Sequence, residues 1–334
     1  MFRRLTVGLF GAAALALAIA PCVGQKKERI AVADPEKAKA DPDFAIQGEY
    51  VTEAIVGKKK TGAQVVAKGG GVFDVRVLPG GLPGEGWDGK TQTKATAKRG
   101  EDGVAQITGP NTTGSIIGGK LTVKAGLAPE VVLEKVERKS KSLGAKPPEG
   151  AVILFEKEGD EKKWDGGKLV KLSDGTFLGV GEKSKQAFGA FKAHFEFRLP
   201  WMPNSTGQGR GNSGVYLQNR YEVQVLDSFG LAGENNECGG IYTQHKPLVN
   251  MCYPPLSWQT YDIEFTPAKF DDAGKKTKNG RATIRHNGVT IHDDVEFPKE
   301  CPGGQKEAAT PGPFQLQNHG DPVVYRNIWV VEIK

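Results

Sequence analysis

Short runs of alternating apolar and polar residues, each closed by a glycine- or proline-rich turn, recur along this chain from about residue 50 to its end. Val72–Leu78 and Phe191–Leu199 are two of them. A period of two is typical of strands that lie half-buried in a sheet, and the 45 glycines and 20 prolines supply the turns. Because no stretch has the apolar spacing of an amphipathic helix, the sequence predicts an all-β protein.

The first 24 residues have the features of a secretory signal peptide. A basic start, Met1–Arg4, precedes an apolar run, Leu5–Ala20, which is shorter than the roughly 20 residues of a membrane span. We expect cleavage after Gly24 and export to the periplasm or the extracellular space, without a membrane span. Lipid anchoring through Cys22 is the alternative, and either route allows an association with the cell envelope.

Composition divides the remainder into four segments. Residues 25–43 and 139–150 are rich in Lys, Ala and Pro without apolar periodicity, which predicts two linkers. Residues 44–138 have short strands and glycine clusters, which predict a small β-rich module. Residues 151–334 carry regularly spaced strands that favour a two-sheet sandwich, with a hairpin turn at Asn287–Gly288 pairing residues 286 and 289.

Charge, cysteine and carboxylate patterns limit the ligands. The formal charge of +6 comes from lysines beside turns rather than from a basic stripe, so no nucleic-acid partner is expected. Cys238 and Cys252 flank a short loop, which favours a disulfide over a metal site because no C-x-x-C spacing is present. No cofactor is predicted, and Ca²⁺ at Asp271–Asp272 or Asp293–Asp294 is the alternative to two solvated acid pairs.

The run Asn212–Gly230 most directly indicates a binding surface. A three-residue loop, 219–221, would pair residue 218 with 222 and residue 216 with 224. That register separates an apolar face from a polar one, and a slip by one residue would mix them. Glycines 207, 209, 211 and 214 suggest a shaped rim around the polar face. The apolar face then holds Val215, Leu217, Val223 and Val225, and the polar face holds Tyr216, Gln218, Glu222 and Gln224.

Several blocks of the C-terminal half resemble one family in a fixed order. They are Asn212–Gln218 with Arg220–Ser228, Cys238–Tyr242, Trp258–Phe265 and Gln315–Trp329. Over about residues 150–334 the chain resembles the 3-keto-disaccharide hydrolase domain, long catalogued as a domain of unknown function. The resemblance implies a concanavalin A-like jelly-roll sandwich and action on 3-keto-disaccharides or 3-keto-glucosides. It does not extend to residues 44–138.

The residues allow two kinds of chemistry. Glu222, Gln224 and Asp227 resemble the three-acid strand of retaining glycosidases on the same fold, but with Gln224 in place of the middle acid. In a 3-keto sugar, one base could instead remove the acidic C2 proton and expel the C1 substituent. Glu222 is the candidate base, and His319 is the candidate acid or enolate stabiliser.

The remaining candidates are substrate-binding residues, and the prediction leaves other functions open. A non-catalytic lectin-like protein and a cell-surface scaffold are the alternatives to an enzyme. If Glu222, Gln224 and His319 converge in one cleft and the carboxylate has a perturbed pKa, the enzyme is favoured over the lectin-like protein. The predicted substrate-binding residues are Tyr216, Gln218, Gln224, Arg210, Asn212, Gln317 and Arg326.

Overall fold

The computed structural model describes residues 29–52, 60–127 and 129–333. Within these ranges the chain is nearly all β, as predicted, and it builds a closed barrel followed by a two-sheet sandwich. No helix in the described ranges is long and apolar enough to cross a membrane. The predicted signal peptide 1–24, including Cys22, lies outside the described residues. The helices are α1 Pro35–Ala38 and α2 Pro42–Ile46, with 3₁₀ turns at Asp160–Lys163 and Gly207–Gly209.

The β-rich module is an antiparallel barrel of eight strands in sequential order, closed by pairing of the first strand with the last. Alternate residues point inward, and many of them are small, such as Ala63, Ala67, Ala97 and Ala105. Small inward side chains leave room at the barrel axis for one large group from elsewhere. The strands are β1 Gly48–Val51, β2 Thr61–Gly69, β3 Val72–Pro79, β4 Thr93–Arg99, β5 Ala105–Gly109, β6 Thr112–Ile117, β7 Lys120–Ala125 and β8 Val131–Val136.

The C-terminal part packs a five-stranded sheet against an eight-stranded sheet, which confirms the predicted all-β sandwich. The smaller sheet contains β10 Trp164–Asp165, β13 Glu182–Phe188, β15 Ser213–Leu217, β16 Tyr221–Val225 and β22 Gly312–Leu316. The larger contains β9 Val152–Phe155, β11 Leu169–Leu172, β12 Gly175–Leu178, β14 Ala190–Arg198, β17 Trp258–Thr266, β20 Gly280–His286, β21 Val289–Phe297 and β23 Val324–Ile333. A separate ribbon pairs β18 Lys269–Phe270 with β19 Lys276–Lys278.

The β20–β21 hairpin forms as the sequence predicted. His286 pairs with Val289 across Asn287 and Gly288, both of which have positive φ, as a two-residue hairpin turn requires. Ile284 and Ile291 both lie in the core between the sheets.

The described part of the predicted first linker is ordered, so that prediction needs correction. Asp34 caps α1, and its carboxylate accepts hydrogen bonds from Ser173 of the sandwich, from Oγ at 2.6 Å and from N at 2.9 Å. Asp41 caps α2, and Val32 pairs with Trp201. Each helix is about one turn long and is specified by an Asp-Pro start. One turn is too short to show apolar periodicity, so the sequence pattern of residues 25–43 does not distinguish these helices from a linker.

The predicted second linker, 139–150, is also held in place. Ser140 Oγ lies 2.6 Å from Thr260 Oγ1, and the Gly144 amide donates to Glu196 Oε1 at 2.5 Å. These contacts are on the outer face of the larger sheet. Polar residues of this face form hydrogen bonds with residues that are distant in the sequence. Local composition does not reveal such contacts.

Barrel and sandwich are interlocked by an exchange of side chains. Trp201, from the sandwich, is fully buried in the barrel core, where its ring meets Phe44 edge-on at 5.3 Å and its Nε1 donates to Asp41 at 3.0 Å. In return, Val66 of β2 lies in the sandwich core and packs tightly on Gly230. Each domain therefore completes the core of the other.

The predicted disulfide between Cys238 and Cys252 is absent, because both residues are buried free thiols. Cys238 Sγ lies 3.3 Å from the Tyr261 hydroxyl. Cys252 Sγ is 3.6 Å from the Leu226 carbonyl. Both sulfurs are thus accommodated as hydrogen-bonding groups in the core.

Trp201→Ala should uncouple the two domains. Truncating a buried tryptophan typically costs about 3–5 kcal/mol, because a cavity remains where the ring packed. We expect urea denaturation to show a loss of this size in the free energy of unfolding. Trp87→Ala is the control, since Trp87 is only half-buried in a surface loop. A loss below about 1 kcal/mol for Trp201→Ala would show that other side chains close the barrel.

Candidate active site

The β15–β16 hairpin has the predicted faces in a different register. The structure pairs Tyr216 with Glu222 and Leu217 with Tyr221, rather than residue 216 with 224 and 218 with 222. The loop has three residues as predicted but begins one position earlier, because Gln218 and Asn219 both adopt positive φ and form the turn. Since the registers differ by two residues, the faces are unchanged. Val215, Leu217, Val223 and Val225 all lie in the core.

Glu222 lies on the polar face of the smaller sheet, in the edge strand β16. It is 1% exposed, and its Oε2 accepts a hydrogen bond from the Tyr216 hydroxyl at 2.8 Å. Its Oε1 has no hydrogen-bond partner in the part of the chain that the structure describes. The carboxylate fits because Gly214 lies beneath it: a Cβ at residue 214 would be 2.3 Å from Oε1.

Burial raises the pKa of Glu222 to about 7, and the hydrogen bond from Tyr216 opposes this only in part. The Tyr216 hydroxyl has a second acceptor, the Pro302 carbonyl at 2.8 Å. It can therefore donate to Glu222 when the carboxyl is ionised, or to Pro302 when the carboxyl is protonated. This pair can hold or release a proton near neutral pH.

Two amide side chains extend the polar face. Gln224 and Asn212 are each 1% exposed, and both donate to Gln208 Oε1, from Nε2 at 3.4 Å and from Nδ2 at 3.2 Å. Gln224 Oε1 and Asn212 Oδ1 have no partner within the described ranges. Together with Glu222 Oε1, they form a group of buried acceptors without donors.

The segment around Cys301 covers the other side of Glu222. The Cys301 amide donates to the Arg220 carbonyl at 2.9 Å, and Gln244 Nε2 lies 3.2 Å from Cys301 Sγ. Burial raises the pKa of Cys301 to about 11, and the neighbouring Glu222 charge contributes to the increase. The thiol therefore remains neutral beside the carboxylate.

The loop after β22 borders the same face. The Gln317 amide donates to Gly214 O at 2.8 Å, and Gln317 Nε2 lies 3.4 Å from the Tyr216 hydroxyl. At the far end of the loop, Asp321 accepts the Asn212 amide at 2.7 Å and forms an ion pair with Arg29. His319, between these two anchors, is exposed at the rim. Its side chain forms no hydrogen bond with any described residue.

Arg210 and Asp227 are not part of this face. Arg210 Nε donates to Asp227 Oδ2 at 2.6 Å, and Nη1 reaches the Ala67 carbonyl of the barrel at 3.1 Å. Both carboxylate oxygens of Asp227 are engaged, since Oδ1 accepts the Phe229 amide at 3.3 Å. The structure therefore gives this pair an interdomain role in place of the predicted substrate-binding and catalytic roles.

Gln218 and Arg326 also lie elsewhere. Gln218 is in the hairpin turn, where Nε2 donates to the Phe188 carbonyl at 2.8 Å and Oε1 accepts from Arg220 at 2.7 Å. Arg326 is on the larger sheet, 3.9 Å from the centre of the Trp258 ring and paired with Glu196 at 2.7 Å. Of the predicted residues, Tyr216, Glu222, Gln224, Asn212 and Gln317 converge, with His319 at the rim.

Residues from loops were missed by the sequence argument. Gln208, Cys301 and Asp321 contact the convergent group, and Gln244 contacts Cys301, but strand alternation carries no information about loops. The glycines on either side of Gln208 were a usable signal, because they marked a segment shaped to approach the face.

The described chain contains no group of three or more His, Cys, Asp or Glu side chains arranged to hold a metal ion. Of the Ca²⁺ alternatives, Asp294 is paired with Arg281 at 2.7 Å. Asp271 accepts amides of its own turn, from Ala273 at 3.1 Å and Lys275 at 2.8 Å.

These features define an all-β sandwich protein in which a buried carboxyl of raised pKa lies on the polar face of the smaller sheet. Residues 150–331, more than half of the chain, match the family described as the 3-keto-alpha-glucoside-1,2-lyase-like domain. The chain belongs to this family, as its sequence blocks predicted.

Solved structures give a consistent result. A Parabacteroides distasonis ATCC 8503 protein named "putative glycosyl hydrolase" is 32% identical, with 56% of this chain and 85% of that chain covered and a TM-score of 0.50. A second protein of that name and organism is 14% identical, with 56% and 95% covered and a TM-score of 0.36, too low to argue from. No curated protein matches this chain. The family match and the first of these two structures support a glycosidase-like function.

The raised pKa of Glu222 should make stability depend on pH. Between its ordinary value of 4.5 and about 7, the folded protein binds this proton more tightly than the unfolded chain does. The contribution of Glu222 to stability is therefore greatest below this window and falls as pH rises through it, by about 2–3 kcal/mol from pH 5 to pH 8. Glu222→Gln should remove this decline, measured by urea denaturation at both pH values.

Comparing the two proteins at each pH isolates Glu222. Burial lowers the pKa of His286 to about 3 and of His292 to about 4, which affects stability in the opposite direction at low pH. Both histidines are present in wild type and variant, so their contributions cancel. A constant difference between the two proteins would show that Glu222 ionises as freely in the folded state as in the unfolded chain.

Proposed function

We propose that this protein cleaves the glycosidic bond of 3-keto-disaccharides or 3-keto-glucosides, with Glu222 as the general base. The observation that carries the proposal is a single buried carboxylate with a pKa of about 7 on a face of hydrogen-bonding side chains. A base of this pKa is ionised in about half of the molecules at neutral pH and still binds a proton well. Family membership supports the choice of substrate.

In this proposal, the ketone at C3 makes the proton at C2 acidic. Glu222 takes that proton, and the electron pair forms an enolate on the C3 oxygen. The enolate then expels the C1 oxygen with its substituent, leaving a C1–C2 double bond conjugated to the ketone. Water adds at C1 and a proton returns to C2, which gives the free 3-keto sugar and the released alcohol.

Neutral donors around Glu222 suit the enolate. The amide groups of Gln317, Gln224 and Asn212 offer N–H groups in a region where burial strengthens hydrogen bonds to a developing charge. His319, at the rim, is the proposed donor of a proton to the leaving oxygen. Its position in an exposed loop allows exchange of that proton with solvent.

Two-carboxylate hydrolysis has less support. Retaining and inverting enzymes need carboxyl groups about 5–9.5 Å apart. Asp227 is engaged by Arg210. Glu182, another buried carboxyl whose pKa is raised by burial, lies on β13, three strand spacings or about 14 Å from β16. Its pairing with Leu316 also aligns it with the core-facing residues of the sheet.

Isotope labelling separates the two routes. We expect 3-keto-trehalose deuterated at C2 to be cleaved in ordinary water with loss of the deuterium, because elimination breaks that bond. Retention of deuterium in the 3-keto-glucose product would support direct displacement and contradict the proposal. Trehalose itself should resist cleavage, since without the ketone its C2 proton is not acidic. Saccharide binding without turnover would support the lectin-like alternative.

Two substitutions test the residue roles. Glu222→Gln should lower kcat by about 10²–10⁴-fold, since it removes the base while keeping the shape. In the wild type, kcat should rise with pH and level off above about 7, where Glu222 is ionised. His319→Ala should lower kcat by about 10²-fold with little change in stability, because the side chain is exposed. Full activity of Glu222→Gln would rule out this mechanism.

A further inference from the structure

The segment Gly207–Gln208–Gly209 borders the polar face and is hydrogen-bonded to it through Gln208, whose backbone carbonyl accepts from Asn212 Nδ2 at 2.8 Å. Gln208 Oε1 accepts from Asn212 Nδ2 at 3.2 Å and from Gln224 Nε2 at 3.4 Å. Its Nε2 donates to the Asn236 carbonyl at 2.7 Å. The segment thus links Asn212 and Gln224 to the loop that contains Asn236, and we refer to residues 207–209 as the cover segment.

Hydrogen bonds rather than apolar packing hold the cover segment down. Gly207 and Gly209 are exposed, and a Cβ at either would meet no atom within 4 Å. Besides the bonds of Gln208, Arg29 Nη2 donates to Gly209 O at 3.3 Å. Each such bond contributes little net free energy when water can replace it. Opening the segment therefore costs little compared with opening a packed core.

The groups beneath the cover segment are poorly satisfied while it is closed. Asn212 Oδ1, Gln224 Oε1 and Glu222 Oε1 are buried without a donor in the described structure. Gln208 Oε1 can only accept, so it uses the two amide N–H groups and leaves the oxygens unpaired. A sugar hydroxyl can accept from an amide N–H and donate to an oxygen at once. Hydroxyls therefore match this amide pair better than Gln208 does.

We propose that Gln208 is a built-in competitor for the substrate. Its side-chain amide occupies the position between Asn212 and Gln224 that two hydroxyls of a saccharide take in the complex, and the cover segment moves aside to admit them. The proposal rests on the proposed function in one respect, since it takes a saccharide as the ligand. It does not depend on which cleavage route operates.

Binding of trehalose, which lacks the ketone and is not turned over, measures the competition directly. Gln208→Ala should lower the Kd measured by calorimetry by about tenfold, because Gln224 Nε2 then loses its partner in the closed state and Asn212 Nδ2 keeps only the carbonyl of residue 208, at 2.8 Å. Gly207→Ala should lower it by a smaller factor, since residue 207 has φ +53° and an added Cβ strains the closed segment without removing a contact. Gln186→Ala is the control, as Gln186 is exposed and contacts Glu332 instead.

Hydrogen exchange tests the same idea without a ligand. In Gln208→Ala, the Gly209 amide, which donates to Thr206 O, and the Arg210 amide, which donates to Gly207 O, should exchange at least about tenfold faster than in the wild type. Unchanged exchange, or unchanged or weaker trehalose binding by Gln208→Ala, would overturn the competitor role while leaving the proposed function intact. Failure of every variant to bind any saccharide would instead overturn the proposed function, and the competitor role with it.

Discussion

Burial of Trp201 in the barrel core is the contact on which the arrangement of this protein depends. The indole fills space left by small inward residues of the barrel, and its N–H reaches Asp41, whose carboxylate also caps α2. Three parts of the chain therefore meet at one side chain: the N-terminal helices, the barrel and the sandwich. Val66 makes the reciprocal contact in the sandwich core. Neither domain has a complete core without the other.

This interlock also fixes the edge of the candidate site. The connection from β14 to β15 begins beside Trp201 and ends at Asn212, and between them Arg210 is held by Asp227 and by the barrel carbonyl of Ala67. Gln208 lies between Trp201 and Arg210, the two residues of this connection that the barrel holds. The barrel, which the family match does not cover, thus helps to position the loop that carries Gln208. The barrel therefore contributes to the site by holding the β14–β15 connection in place.

Strand alternation was enough to predict the faces of the hairpin and to place Tyr216, Glu222 and Gln224 on the same one. It could not predict the register, because two consecutive residues of positive φ, Gln218 and Asn219, moved the turn. Arg210 and Asp227 were misjudged because their partners are distant in sequence or in another domain. The one-turn helices were missed because Asp-Pro caps specify them without periodicity. Loop residues such as Gln208 depend on tertiary contacts that no local pattern encodes.

The exchange of side chains has a consequence for the order of folding. The barrel is built from strands that pair with their sequence neighbours, so most of its contacts are local and can form early. The side chain that fills its end, Trp201, lies more than 60 residues beyond its last strand. The ribosome adds about 5–20 residues per second, so the barrel strands are synthesised before Trp201. Until the sandwich begins to form, the barrel is a nearly complete fold with one open end.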